Sequence, residues 1–292
     1  MLLGLSVASW SGNWIIGRMI RLDAPPAGLT LLRWAIAAAV LLVWQWPSVR
    51  RHWPLLRRSW LILLVLALLA SVLQHLPVYI GLRTTTATTA SLLNATTPVF
   101  ILLMAWLMLG EKLHGAMVAG VLVSLVGAVW IVTRGRPESL LGWVLNVGDL
   151  WILLGTLSWA VYTICLRWRP VGLPPLTLLC AVSILGVLCT LPVAMVEYAL
   201  GERFIWSAPV LTSVLYIGLV STVLAYIFWN RGVEVLGPSR AGPFMYLMTV
   251  FVPLLGWLIL DETMEVFHVV GIGLIFTGIA LTRWRTGPAR GG

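Results

Sequence analysis

Apolar residues run in stretches of roughly 18 to 25 along the whole chain, each long enough to cross a hydrocarbon core of about 30 Å as a helix. Short connections rich in Arg, Pro and Gly separate them. The pattern predicts spans at 2–20, 26–46, 59–81, 88–109, 114–133, 149–168, 175–199, 207–230, 239–260 and 266–284. The expected fold is therefore an all-α polytopic membrane protein with ten transmembrane helices, and no soluble domain fits between them.

Composition agrees. Of 292 residues, 60% are hydrophobic and only 10% charged, against about 25% charged in an ordinary soluble domain. The first run lacks a positively charged leader, and Trp10, Asn13 and Trp14 interrupt it, so it is expected to stay as a span and not be cleaved as a signal peptide. The surrounding partner is the lipid bilayer.

Within that frame the net charge of +9 reports topology. The basic residues lie in separate connections and form no patch, so nucleic acid is not an expected partner. With ten spans both termini share a side. Connections on that side hold Arg50, Arg51, Arg57, Arg58, Lys112, Arg167, Arg169, Arg231, Arg240, Arg283, Arg285 and Arg290. The other side holds the smaller set Arg18, Arg21, Arg83, Arg134, Arg136 and Arg203, beside Asp261, Glu262 and Glu265. The positive-inside rule then makes both termini cytoplasmic.

The chain also repeats itself. An offset of 151 pairs Gly81 with Gly232, Trp106 with Trp257, Glu111 with Glu262, Gly120 with Gly271 and Gly127 with Gly278. An offset of 149 pairs Ser9, Trp10, Pro25 and Pro26 with Ser158, Trp159, Pro174 and Pro175. Each copy, 1–137 and 138–292, holds an odd number of spans, so the second enters the membrane with opposite polarity. Two inverted five-helix repeats around a central cavity are the expectation, an architecture that suits alternating access.

Polar residues inside spans mark faces turned to protein or water. Trp10, Asn13, Trp14 and Gly17 share one face of the first span by i, i+3, i+4, i+7 spacing, and Trp159, Tyr162 and Thr163 hold corresponding positions in the sixth. Trp10 as an interfacial belt residue, with Asn13 as a helix-to-helix bond, is the competing reading. Ser71, His75 and Tyr79 share a face around Pro77, as do Ser91, Asn94 and Pro98. The prolines either loosen a turn whose carbonyls a ligand ammonium uses or are static kinks. In the second half Thr222, Tyr226 and Trp229 share a face, and so do Tyr246, Thr249 and Pro253. The candidate substrate-binding set is Trp10, Asn13, Trp14, His75, Tyr79, Asn94, Pro98, Trp159, Tyr162, Thr163, Tyr226, Trp229 and Tyr246.

Several other residues receive structural readings. Arg33, near the outer end of the second span, could attract a carboxylate, but is expected to snorkel to the headgroups or to pair with Asp23 and is left out of that set. Glu111 and Glu262 fall in tight turns at helix ends. Gly120, Ser124, Gly127, Gly271 and Gly278 permit close helix contact, within one chain or between two; a monomer is expected, with a dimer as the alternative. Cys165, Cys180 and Cys189 are an odd set without metal-like spacing, so neither a disulfide nor a metal is expected.

The ordered recurrence of these motifs resembles the EamA-type drug/metabolite transporter superfamily: Ser-Trp near the start of each half, Ala-Pro-Pro then Leu32-Arg33-Trp34, Pro98 before Trp106 and Gly110-Glu111, Gly148-Asp149-Leu150, and Ser158-Trp159-Ala160-Val161-Tyr162. Within it the chain is similar to YddG-type bacterial exporters of aromatic and other amino acids. The resemblance implies a bacterial inner-membrane protein with a pathway lined by helices 1, 3, 4, 6, 8 and 9, and helices 5 and 10 packed outside it. One departure is that Pro253 lies nearer to Glu262 than Pro98 does to Glu111.

No Asp or Glu lies convincingly mid-membrane, which disfavours a carboxylate-based multidrug antiporter. Trp and Tyr faces suit neutral or zwitterionic small molecules with apolar parts. Export of amino acids, without cofactor and without ion coupling, is the main expectation. A proton-coupled efflux carrier using His75 is the alternative. No catalytic constellation supports an enzyme.

Overall fold

A computed structural model describes residues 1–85, 87–142, 146–168, 172–260 and 265–283. Their regular structure is all helical, with no strand among the described residues. The principal helices are α1 (Leu2–Met19), α2 (Pro26–Arg51), α3 (Trp60–Thr84), α4 (Leu92–Leu109), α5 (Gly115–Val132), α6 (Val147–Trp168), α7 (Pro175–Ala199), α8 (Ala208–Leu236), α9 (Met248–Leu260) and α10 (Val266–Arg283). Among the described residues, the 7 helices from α2 to α8 are long and apolar enough to cross a membrane. Exposed Trp44, Trp46, Trp53, Trp60, Trp106 and Trp168 ring one end of the bundle, and Tyr198 and Trp206 are exposed near the other. That is where a bilayer places aromatic belts.

Three helices run past the ends that hydropathy predicts. α2 continues to Arg51, α3 to Thr84 and α8 to Leu236, because backbone bonding does not stop where apolar side chains do. The starts follow local chemistry. Pro26 and Pro175 open α2 and α7, where a missing N–H costs nothing. The next donors of α2, the Ala27 and Gly28 N–H groups, donate to the Glu197 carboxylate of α7 at 3.1 and 2.8 Å.

Asn146 and Asp149 form a capping box at the start of α6, and the Thr85 hydroxyl donates to the same Asp149 carboxylate at 2.9 Å. The Gly148-Asp149 motif is thus a helix cap, and its fully buried acid has its acceptors filled. At the far end of α4, Gly110 adopts φ 63°, the left-handed C-terminal position.

Helix pairing is specific. α5 packs on α10, α2 on α7, the second half of α3 on α6, α1 on the second half of α8, α4 on α6, and α1 on α9. A Cβ on Gly120 would lie 2.5 Å from the Gly278 carbonyl oxygen, and one on Gly127 would lie 2.7 Å from that of Gly271. The two glycine faces therefore meet each other within one chain. Close backbone approach replaces the apolar driving force that lipid does not supply.

Asp261 and Glu262 lie outside the described residues, as do the side chains of Trp14, Arg18, Ser91, Pro253 and Trp257.

Candidate functional site

Trp10 is not a belt residue. It is buried, and its indole Nε1 donates to the Ser221 carbonyl of α8 at 2.9 Å. Further bonds from Ser6 to the Ala225 carbonyl, and from Tyr216 and Ser221 to the Ser9 carbonyl, tie α1 to α8 along its length. Part of α8, Ile217–Leu224, is π-helical, a local unwinding often found at functional sites.

Against Trp10 stand Trp159 of α6, with ring centroids 4.9 Å apart, and Tyr226 of α8 at 5.8 Å, both edge-on. Trp159 also stacks on Tyr162 (5.1 Å) and meets Tyr226 (5.5 Å) and Trp229 (5.6 Å). Trp34 of α2 closes the cluster against Tyr226 at 5.3 Å. Edge-to-face pairs of this kind each add about 0.5–1.5 kcal/mol beyond area burial.

On one side of this cluster lies a cavity. It reaches toward the end of the bundle where α1 and α3 finish and α6 begins, and its wall includes Gly17, Leu82 and Ile152. Of the sequence candidates, Trp10, Asn13, His75, Tyr79, Asn94, Trp159 and Tyr226 line it.

Pro98, Tyr162, Thr163, Trp229 and Tyr246 do not, and all five are buried. Tyr162 donates to Asn230 Oδ1 at 3.1 Å on the side of the ring cluster away from the cavity. Thr163 donates back to the Trp159 carbonyl at 3.0 Å. Pro98 lies at the start of the helix Thr97–Leu109, after a break at residues 95–96, and the Asn94 carbonyl four residues before it accepts from the Thr97 hydroxyl at 2.6 Å. Trp14 shares the α1 face, but its side chain is outside the described residues.

Sequence spacing missed Gln74, Thr156, Met245 and Met248 on the wall. Gln74 sits beside His75 and off the face that the spacing selects. Met248 accepts a bond from Asn94 Nδ2 at 3.4 Å.

His75 is held locally. Its Nδ1 lies 2.7 Å from the Ala70 carbonyl, freed where α3 breaks at Ser71, and the Tyr226 hydroxyl reaches the same oxygen at 3.5 Å. The Ala70 carbonyl is therefore occupied by protein. Polar atoms on the wall remain unmatched instead: Asn13 Oδ1, Gln74 Oε1 and Trp159 Nε1 are buried without a hydrogen-bond partner. Buried polar groups ordinarily find partners, so these three atoms are open to bonding by whatever enters the cavity; Trp34 Nε1, Trp130 Nε1, Trp229 Nε1 and the Tyr246 hydroxyl, off the wall, are unmatched too.

Arg33 corrects its expectation. It neither snorkels nor pairs with Asp23; it is fully buried, donating from Nε to Thr222 Oγ1 at 3.0 Å and from Nη1 to the Tyr79 hydroxyl oxygen at 3.1 Å. Glu111 is likewise more than a turn residue. Its carboxylate accepts from the Ser239 hydroxyl and lies 3.8 Å from Arg167, joining the end of α4 to the end of α6 and to the short helix Pro238–Ala241 that follows α8. At the opposite end Arg83 donates to both Glu202 oxygens at 3.1 Å, which holds that carboxyl below its ordinary range. This exposed contact is present above the ordinary carboxylate range and is lost as pH falls through the lowered pKa; screening keeps it weak.

Comparison with known proteins places the chain among transporters. The EamA-like transporter family model matches residues 1–133 and 146–284. A protein named as an uncharacterized transporter from Archaeoglobus fulgidus is 26% identical over 97% of this chain and 96% of its own length. The uncharacterized transporter YetK of Bacillus subtilis is 27% identical over 96% of this chain and 85% of its own. A solved crystal structure at 21% identity superposes with a TM-score of 0.76 over 97% of this chain and 95% of that one, a likeness of fold.

Proposed function

The chain belongs to the EamA-like transporter family, and from that premise we propose that it carries amino acids, aromatic and other neutral ones, out of the cell by alternating access and without ion coupling. The observation that carries the reading is the ring-walled cavity, with its unmatched amide oxygens, ending on a bonded aromatic floor. Rings supply apolar contact and cation–π attraction, and the amide oxygens accept from an ammonium group.

Alternating access needs two halves that can exchange roles. The helix pairing supports reading 1–137 and 138–292 as such halves, ten spans in all. Exchanging each helix for the one five places along turns α3 on α6 into α8 on α1, and α4 on α6 into α9 on α1, while α2 on α7 and α5 on α10 map onto themselves. The gates follow the same exchange. An offset of 149 carries Asn13 to Tyr162, and one of 151 carries Tyr79 to Asn230. Tyr162 and Asn230 are bonded at the closed end; no bond joins Asn13 and Tyr79 at the cavity end. In the opposite state the second pair bonds and the first parts. With both termini cytoplasmic in a bacterial inner membrane, this state faces outward.

Tyr162→Phe should therefore weaken the closed end. With Cys180 and Cys189 replaced by alanine, Cys165 one turn beyond Tyr162 should react with a maleimide added from the terminal side about fivefold faster, as expected for one lost hydrogen bond of about 1 kcal/mol. An unchanged rate would remove the gate from the mechanism.

The substrate reading is tested by counterflow in liposomes, with labelled phenylalanine or threonine against unlabelled amino acids, nucleosides, sugars and cationic dyes. Exchange by amino acids alone supports it, and exchange only by the other classes rejects it. An imposed pH gradient should leave the initial rate unchanged. A gradient response that His75→Gln abolishes would establish proton coupling instead.

A further inference from the structure

Arg33 is a fully buried guanidinium with no ion pair among the described residues. Its described bonds go to two neutral hydroxyls, and its Nη2 has no partner. A cation this deep is costly unless an anion compensates it, and among the described residues no Asp or Glu pairs with it. The buried acid Asp149 is taken by its helix cap, and Glu197 by the start of α2.

The surroundings point toward the cavity. Tyr79, which accepts from Arg33, is a wall residue, so its own proton is free to be donated to something else. On the other flank Arg33 grips Thr222 inside the π-helical part of α8, and the Thr222 hydroxyl donates to the Ile217 carbonyl at 2.8 Å. The guanidinium is thus fixed behind Tyr79 by two helices. The unmatched Asn13 Oδ1 and Gln74 Oε1, on the wall of the same cavity, are acceptors, suited to the other pole of a zwitterion.

We propose that Arg33 and Tyr79 form the anion-recognition end of the cavity, selecting solutes that carry a carboxylate. The carboxylate accepts from the Tyr79 hydroxyl, and the Arg33 charge behind it, weakly screened there, supplies the attraction. The proposal deepens the transport reading by naming a charge requirement and a residue of α2, a helix outside the expected pathway set. It does not require that the solute be an amino acid.

The test compares phenylacetate with its neutral isostere phenylacetamide as ligands of the purified full chain, read by thermal stabilisation. Charge-assisted hydrogen bonds of about 1.5–3 kcal/mol imply that phenylacetate binds at least about tenfold more tightly. Arg33→Gln should bring the two to near-equal affinity; Tyr79→Phe, which leaves the buried charge in place but removes the hydroxyl that the carboxylate bonds, should reduce the preference severalfold without abolishing it, and decides the matter if Arg33→Gln does not fold. Equal binding of the pair by the wild type, binding of neither, or an unchanged preference in a folded variant would overturn the proposal. A purely structural Arg33 shifts stability without altering the preference. If phenylacetate is preferred but no amino acid exchanges in counterflow, the amino-acid reading fails and the anion site stands.

Discussion

Replacing Trp159 with alanine should cut counterflow of labelled phenylalanine by at least about tenfold, or about 1.4 kcal/mol, in protein that still folds. Trp159 touches Trp10, Tyr162, Tyr226 and Trp229 and also borders the cavity, so it is at once ligand surface and floor. Removing a buried Trp also costs about 3–5 kcal/mol of stability, so the rate is taken per folded molecule, after measuring thermal unfolding in the same detergent. Trp159→Phe separates the two effects. It keeps a ring in the cluster and should retain most of the stability while recovering part of the rate. Full-rate exchange by folded Trp159→Ala protein would show that the solute path avoids this cavity.

Gly278→Val should be the most damaging change outside the cavity. An added Cβ would stand 2.1 Å from Ser124 Oγ and 2.4 Å from the Gly120 carbonyl oxygen. The carbonyl belongs to a helix backbone, so α5 and α10 must separate. Overpacking of this kind costs about 1–3 kcal/mol or more, seen as a lowered melting temperature. Gly273→Ala on the same helix meets nothing within 4 Å and should leave the midpoint where it is. Because none of the described residues of α5 and α10 lines the cavity, any Gly278→Val protein that folds should exchange solute at a near-normal rate. A lowered rate with an unshifted midpoint would put this helix pair in the pathway.

The lining of the cavity was readable only where side-chain spacing was unambiguous. Trp10 and Asn13, and His75 and Tyr79, stand at spacings that put each pair on one helix face, and each pair does face the void. The same logic placed Trp229 and Tyr162 with them, yet these rings seal the floor on its other side. Periodicity says that residues share a face and is silent on what that face meets. Gln74 and Met245 lay off the chosen faces and still reach the wall, since helices cross at angles and residues of six of them, α1, α3, α4, α6, α8 and α9, bound the void.

By itself the sequence determined that the chain is helical, that most of it suits a membrane, and where the apolar runs begin. These follow from local chemistry: a buried backbone must bond to itself, and hydropathy sets where it can be buried in lipid. Only the tertiary structure decided that Arg33 is buried beside Tyr79, that Glu111 joins three helix ends, and that the glycine faces of α5 and α10 meet each other. The reason is that these helices are apolar nearly all round, so no greasy stripe announces which side turns inward. In a bilayer that choice falls to close packing and a few hydrogen bonds between helices, and those pairs exist only once the helices have met.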